Sequence, residues 1–317
     1  MLDYFSSAHV LGLTATPTPE AYAFFNNNII EEYTYEDSVV DGVNVPARIY
    51  RIKTQVTEHG GAINPDTTVT EIARKTGEVT TYEAHHRIDY APNALDRSVI
   101  NPDQIKEVLT AYKKSIYEDL YPDREKKWAY IPKTLIFAKD DNHASQIVEV
   151  AKEVFDEEFD GGEVPKHFVQ KITYTAEDSN GLIRDLRTEK DFRIAVTVTL
   201  VATGTDVKPL EAVLFMKDVN SDVLYTQMKG RGCRVVDDDK LREVTPNANT
   251  KECYYIVDAV GVTEHEKNIP HPGGNGGGKG KVFTLEALLE QLVKTVSTGS
   301  RSEMSKKVES ISTRLMK

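Results

Sequence analysis

At 317 residues and 39% hydrophobic content, the chain can bury the core of one large or two ordinary domains. Its net charge of −11 argues against bulk electrostatic adhesion to nucleic acid, which needs clustered Lys and Arg, but leaves room for a local contact surface. Cys233 and Cys253 lack the spacing of a disulfide framework or a zinc site, and without an 18-residue apolar run or a basic leader a cytoplasmic address is expected.

The first regular pattern in chain order is "VTEIARKTGEVTTYEA" (69–84), which alternates around Lys75-Thr76-Gly77 and predicts a β-hairpin. "NPDQIKEVLTAYKKSIYEDLY" (101–121) predicts a helix, with Pro102 in its first turn and Ile105, Val108, Leu109, Tyr112 and Ile116 on one face. "KTLIFAK" (133–139) is a short apolar run of the kind buried on both faces of a parallel sheet. A helix follows from Asp140, with Ile147, Val150, Ala151 and Val154 as its stripe. "FRIAVTVTLV" (192–201), "EAVLFMK" (211–217) and "CYYIVDAV" (253–260) read as further buried strands, and "DVLYTQMKGRG" opens a helix at Asp222. Strand and helix in alternation predict an α/β fold with a parallel sheet flanked by helices. Six glycines in "HPGGNGGGKG" (271–280) predict a flexible linker. Beyond it lies an amphipathic helix capped by Thr284, and a second helix is expected after Ser302. From Lys279 to Lys317 there are eight Lys or Arg against four Glu, so this tail is the basic end of an acidic protein.

Neither G-x-x-x-x-G-K-[ST] nor G-x-G-x-x-G occurs, and at Gly278-Lys279 the hydroxyl residue is replaced by Gly280, so no phosphate cradle is encoded. "QMKGRGCR" is different. Gln227, Gly230, Arg231 and Arg234 form Q-x-x-G-R-G-x-R, and two arginines three apart on one face of a helix start could converge on one anion through their bidentate forks. The bland alternative is a solvated basic turn, or a pair resting on the acidic run Asp237 to Asp239. His85 and His86 have no carboxylate at ligand spacing and read as surface histidines. Glu125-Lys126-Lys127, with Asp119 upstream, imitates a nuclease E-x-K core but reads as a charged connector.

Four segments then occur in a fixed order: "LGLTATP" (11–17), "LIFAK" (135–139), "ATGTDV" (202–207) and "QMKGRGCR" (227–234). Together they resemble motifs III, IV, V and VI of a superfamily-two helicase motor. More narrowly, the stretch from Leu11 to Tyr50, with its "Asp-Gly-x-x-Val-Pro" at Asp41 to Pro46, resembles the motor subunit of type I restriction-modification enzymes. The resemblance covers roughly residues 5 to 260. It implies a RecA-like second motor domain, using ATP and Mg2+ in the complete protein, and as partners double-stranded DNA and the methylase and specificity subunits of a restriction complex.

Position by position, the resemblance implies that Arg231 and Arg234 neutralise charge on the γ-phosphate across an inter-domain cleft, beside Gln227 and Gly230. Gly204 and Asp206 are implied near the nucleotide and the domain interface. Thr203, Lys139, Thr14 and Thr16 are implied in contacting the DNA backbone or coupling it to the nucleotide site. Where the family commonly has an acid shortly before motif V, the chain has Thr199, so no carboxylate role carries over to that strand. The expected organisation is a motif III segment over 1–56, a hairpin excursion over 57–100 and the RecA-like domain over 101–268. A linker follows over 269–280, then the start of a helical region over 281–317. With no phosphate loop, magnesium carboxylates or nuclease core in its sequence, the chain alone is expected to bind ATP weakly and not to hydrolyse it. A different class of reading is a non-catalytic α/β module that docks on a partner subunit through its basic tail.

Overall fold

The computed structural model describes residues 9–52, 61–63, 67–72, 79–85, 88–90, 99–100, 102–156, 164–173, 178–199 and 206–263. In chain order the strands among them are β1 (Ala47–Arg51), β2 (Gly61–Ile63), β3 (Thr67–Ile72), β4 (Val79–Ala84), β5 (Ile88–Tyr90), β6 (Val99–Ile100), β7 (Thr134–Phe137), β8 (Val169–Lys171), β9 (Ile194–Thr197), β10 (Ala212–Phe215) and β11 (Tyr254–Asp258). The helices are α1 (Pro19–Phe24), α2 (Tyr35–Val40), α3 (Pro102–Ser115), α4 (Asp141–Asp156), α5 (Ser179–Thr188), α6 (Asp222–Lys229) and α7 (Asp238–Val244). A π-helical turn, Ile116–Leu120, extends α3.

Six strands make one parallel sheet in the order β1-β11-β10-β7-β9-β8. The four apolar runs read from the sequence supply its four central strands. Every residue of β7, β9, β10 and β11 is buried, because alternate side chains serve two separate cores. Ile136, Val196, Leu214 and Val257 pack with Leu109 and Tyr112 of α3 and Ile147 and Ala151 of α4. Leu135, Phe137, Ala195, Val213, Phe215 and Ile256 face the other way, toward Ile183 and Leu186 of α5 and Tyr225 and Met228 of α6. Burial on both faces explains why the sequence shows unbroken apolar runs rather than alternation.

Two elements of this sheet escape sequence pattern. Edge strand β1 reads "ARIYR" and edge strand β8 reads "VQK"; an edge strand is buried on fewer sides and needs fewer apolar residues. The predicted hairpin over 69–84 is observed as antiparallel β3 and β4, with β6 on the outer side of β3, while β2 pairs with β5. Its tip at 75–77, the glycine-rich stretch and the tail from 264 onward lie outside the described residues. No described helix is long and apolar enough to cross a membrane.

A buried charge network braces the amino-terminal edge of the sheet. Glu211, 1% exposed, is paired with the guanidinium of Arg124, while fully buried Arg193 donates to the carbonyls of Ile131 and Val244 and to Thr245 Oγ1. Val244 is the last residue of α7, so Arg193 places its charge at the negative end of that helix. Burial alone would push the Glu211 carboxyl up, but Arg124 and Arg193 outweigh it and hold it below the ordinary range.

Candidate functional site

The site forms at the amino-terminal edge of the sheet, where α6 delivers its last turn. Ser221 caps α6 by accepting from Leu224 N, and the helix runs back from the carboxyl end of β10 to end at Lys229. Gly230–Gly232 continue as a single 3-10 turn, so Arg231 sits at a helix end and not at the helix start expected from the motif. The cause is packing. A Cβ on Gly232 would lie 2.2 Å from the Tyr254 ring, and only glycine lets the turn close against the start of β11. Gly230 is different: a Cβ there meets nothing within 4 Å, and its φ of −64° suits any residue.

Arg231 Nε donates to Gln227 O at 3.0 Å, using the carbonyls left open at the helix end. The half-buried side chain of Arg231 is held below the ordinary guanidinium range chiefly by burial, with Arg234 adding to the effect and Cys233 and Asp206 opposing it. Arg234 is exposed, and its Nε lies 3.6 Å from Asp206 Oδ1. In the acidic run Asp237 pairs with Lys240 and Asp239 with Arg242, within and beside α7. Thus the structure brings Asp206, Gln227, Gly230, Arg231 and Arg234 into one corner.

A strap from far upstream holds this corner. Arg234 forms an isolated antiparallel bridge with Asn44, and Val45 N donates to Cys233 O at 2.7 Å. The strap is shaped by α2, whose Thr34 and Asp37 form a reciprocal capping box, and by Gly42, whose φ of +71° makes the reversal possible. Tyr35 Oη donates to Val45 O at 2.6 Å, and Val45 itself is buried. "Asp-Gly-x-x-Val-Pro" is therefore the turn that grips the arginine loop. On the other side Lys251 Nζ donates to both Lys208 O and Arg234 O. Sequence reasoning missed Asn44, Tyr35 and Lys251 as neighbours of the site, since single contacts across 10 to 190 residues leave no periodic signal.

Other candidates lie elsewhere. Lys139 follows β7 at the opposite, carboxyl-terminal edge, about 16 Å of strand from the level of Thr134. Its amide N donates to His143 Nδ1 at 3.2 Å; burial pulls that imidazole down to about 4 and keeps it neutral. Thr14 and Thr16 lie in an exposed turn before α1, where Thr16 N donates to Thr14 Oγ1. Thr203 and Gly204 lie outside the described residues. His85 is exposed, as expected; His86 lies outside the described residues. Glu125 pairs with Lys127 and Asp119 accepts from Tyr50 Oη, so the nuclease-like spacing is occupied by local structural contacts.

Chemically, two guanidiniums three residues apart on one turn suit phosphate oxygens. Among the described residues there is no group of three or more His, Cys, Asp or Glu that could hold a metal ion.

No family model matches the chain. It is 26% identical over 240 residues to the endonuclease subunit of the type I restriction enzyme EcoKI from Escherichia coli K12, covering 74% of the chain and 19% of that protein. Against the EcoAI endonuclease subunit of Escherichia coli the figures are 27% over 241 residues, 74% and 27%. The chain thus spans about a fifth to a quarter of these relatives' lengths. The fragment structure of a putative HsdR subunit of a type I restriction enzyme from Vibrio vulnificus YJ016 superposes with a TM-score of 0.53 at 18% identity, covering 86% of the chain and 44% of that one. Over the matched residues the chain is homologous to the endonuclease subunits of type I restriction enzymes, and its fold is the RecA-like α/β fold.

Proposed function

We propose that the chain is the second motor domain of an ATP-dependent, DNA-translocating restriction subunit, and that Arg231 and Arg234 reach the γ-phosphate of an ATP bound between two motor domains. The observation that carries this reading is the corner itself: Asp206, from the loop before β10, meets Arg231 and Arg234 of one turn on a partly exposed edge beside open space at Gly230. A purely structural arginine pair would be expected to satisfy itself within the fold; Arg234 instead keeps about half of its side chain exposed. Asp206 holds Arg234 by a solvent-screened pair worth about 0–1 kcal/mol, enough to orient the fork without immobilising it. Gln227 stands one turn before Arg231, where it can touch the nucleotide or its attacking water.

As the bond to the leaving oxygen breaks, negative charge spreads over the transferred phosphoryl group, and a preorganised guanidinium stabilises it without reorganisation. Mg2+, bound with ATP, would neutralise the phosphate oxygens from the other wall of the cleft. On the same reading Lys139 and Thr203 contact the DNA backbone, and Thr14 and Thr16 couple that track to the nucleotide. Double-stranded DNA and the methylase and specificity subunits are the proposed partners.

Replacing Arg231 or Arg234 by Ala in the complete protein should lower DNA-stimulated ATP turnover by about a thousandfold or more, the usual scale for such fingers, while nucleotide affinity changes much less. Lys at either position should not rescue, because it lacks the planar fork. Unchanged turnover together with a lowered melting point would reject the assignment.

A further inference from the structure

Lys251 lies just before β11 and is 6% exposed. Its Nζ donates to Lys208 O at 2.9 Å and to Arg234 O at 2.8 Å, joining two loops that approach from different strands. Lys208 is two residues past Asp206, which faces the Arg234 side chain. One buried ammonium therefore sets the spacing between the carboxylate loop and the arginine turn. Burying such a group without a carboxylate in contact is unfavourable, and a neutral residue could fill the same volume at lower cost. We propose that Lys251 is a positioning residue for Arg234, fixing the arginine turn against the Lys208 loop so that the guanidinium points toward the nucleotide. This rests on the phosphate-facing reading of Arg234 given above.

Burial lowers Lys251 to about 8, opposed by Glu211, Cys233, Cys253 and Asp206. The groups around it are Asp206, Lys208 and Glu211 on the loop before β10, Cys233 and Arg234 on the arginine turn, and Glu252 and Cys253 beside it in sequence. Burial raises both thiols. Charge-assisted hydrogen bonds are roughly twice as strong as neutral ones, so the tie loosens as pH rises through that range.

The test is K251M in the complete, DNA-stimulated enzyme, which keeps the aliphatic stem. Turnover should fall by about ten- to a hundredfold, the scale of a small misplacement, while KM for ATP moves by less than about threefold. In an R234A background the same change should cost no further turnover. Amide hydrogen exchange at Gly232–Arg234 should accelerate in K251M, a readout independent of hydrolysis. Equal losses in both backgrounds, no loss in either, or unaltered exchange would overturn the proposal. If R231A and R234A leave turnover intact, the phosphate-facing reading fails instead, and the exchange result still decides whether Lys251 holds the turn. Should K251M not fold, the wild-type turnover profile decides: a decline as pH rises through about 8, absent in R234A, is expected, and the same decline in both would overturn the proposal.

Discussion

Arg124 and Glu211 are among the least replaceable residues of the chain. Their side chains are 6% and 2% exposed, and Arg124 also lies 3.9 Å from the centroid of the Tyr121 ring. Forming a buried ion pair yields little net stability, because desolvation offsets the attraction, but removing one partner leaves the other uncompensated. Arg124→Met should therefore destabilise the fold by about 3–5 kcal/mol, read by urea unfolding. Glu211→Gln leaves the buried guanidiniums of Arg124 and Arg193 without that counter-charge and should cost at least as much, because a guanidinium cannot shed its proton as a carboxyl can take one up; a cost for Glu211→Gln well below that of Arg124→Met would contradict this account. Nothing in the sequence marks this pair, which is separated by 87 residues. The pair forms only because the fold brings the connector after α3 to the start of β10.

For the elements, the 3-10 turn after α6 separates two glycines that look alike in the motif. Gly232 lies against the Tyr254 ring, whereas Gly230 faces open space. Gly232→Ala should overpack the turn at a cost of about 1–3 kcal/mol and lower the melting point measurably. Gly230→Ala should leave the melting point nearly unchanged, since its φ is already helical. If a nucleotide does approach there, Gly230→Ala should lower turnover in the complete protein without loss of stability. Equal melting points for the two variants would show that the close approach to Tyr254 is not what selects glycine. The sequence supplied the helix and the two glycines; which of them is steric depended on where β11 begins.

Across the whole molecule, buried lysines tilt stability with pH. Lys133 is fully buried, its Nζ donating to the carbonyls of Glu189 and Phe192, and burial followed by Arg193 lowers it to about 6. In the unfolded chain a lysine keeps its proton to about pH 10.4, so between roughly pH 6 and 10 the unfolded state binds more protons. Stability should therefore rise with pH through that window, by up to about 1.4 kcal/mol per pH unit from this group. Lys133→Met should flatten the rise, measured by urea unfolding at pH 6.5 and 8.5; an identical slope in both proteins would mean that Lys133 stays charged in the fold. By itself the sequence determined the four central strands, the helices α3, α4 and α6 but not α5, the hairpin over 69–84 and the grouping of Gln227, Gly230, Arg231 and Arg234, because burial on both faces and local spacing leave periodic or short-range signatures. Only the tertiary structure decided that β1 and β8 complete the sheet, that Arg231 ends a helix, that Asn44, Val45 and Lys251 grip the arginine turn and that Lys139 lies on the opposite edge. The reason is physical. Edge strands and single long-range hydrogen bonds are set by which chain ends the closed sheet brings together, and no local pattern of residues encodes that.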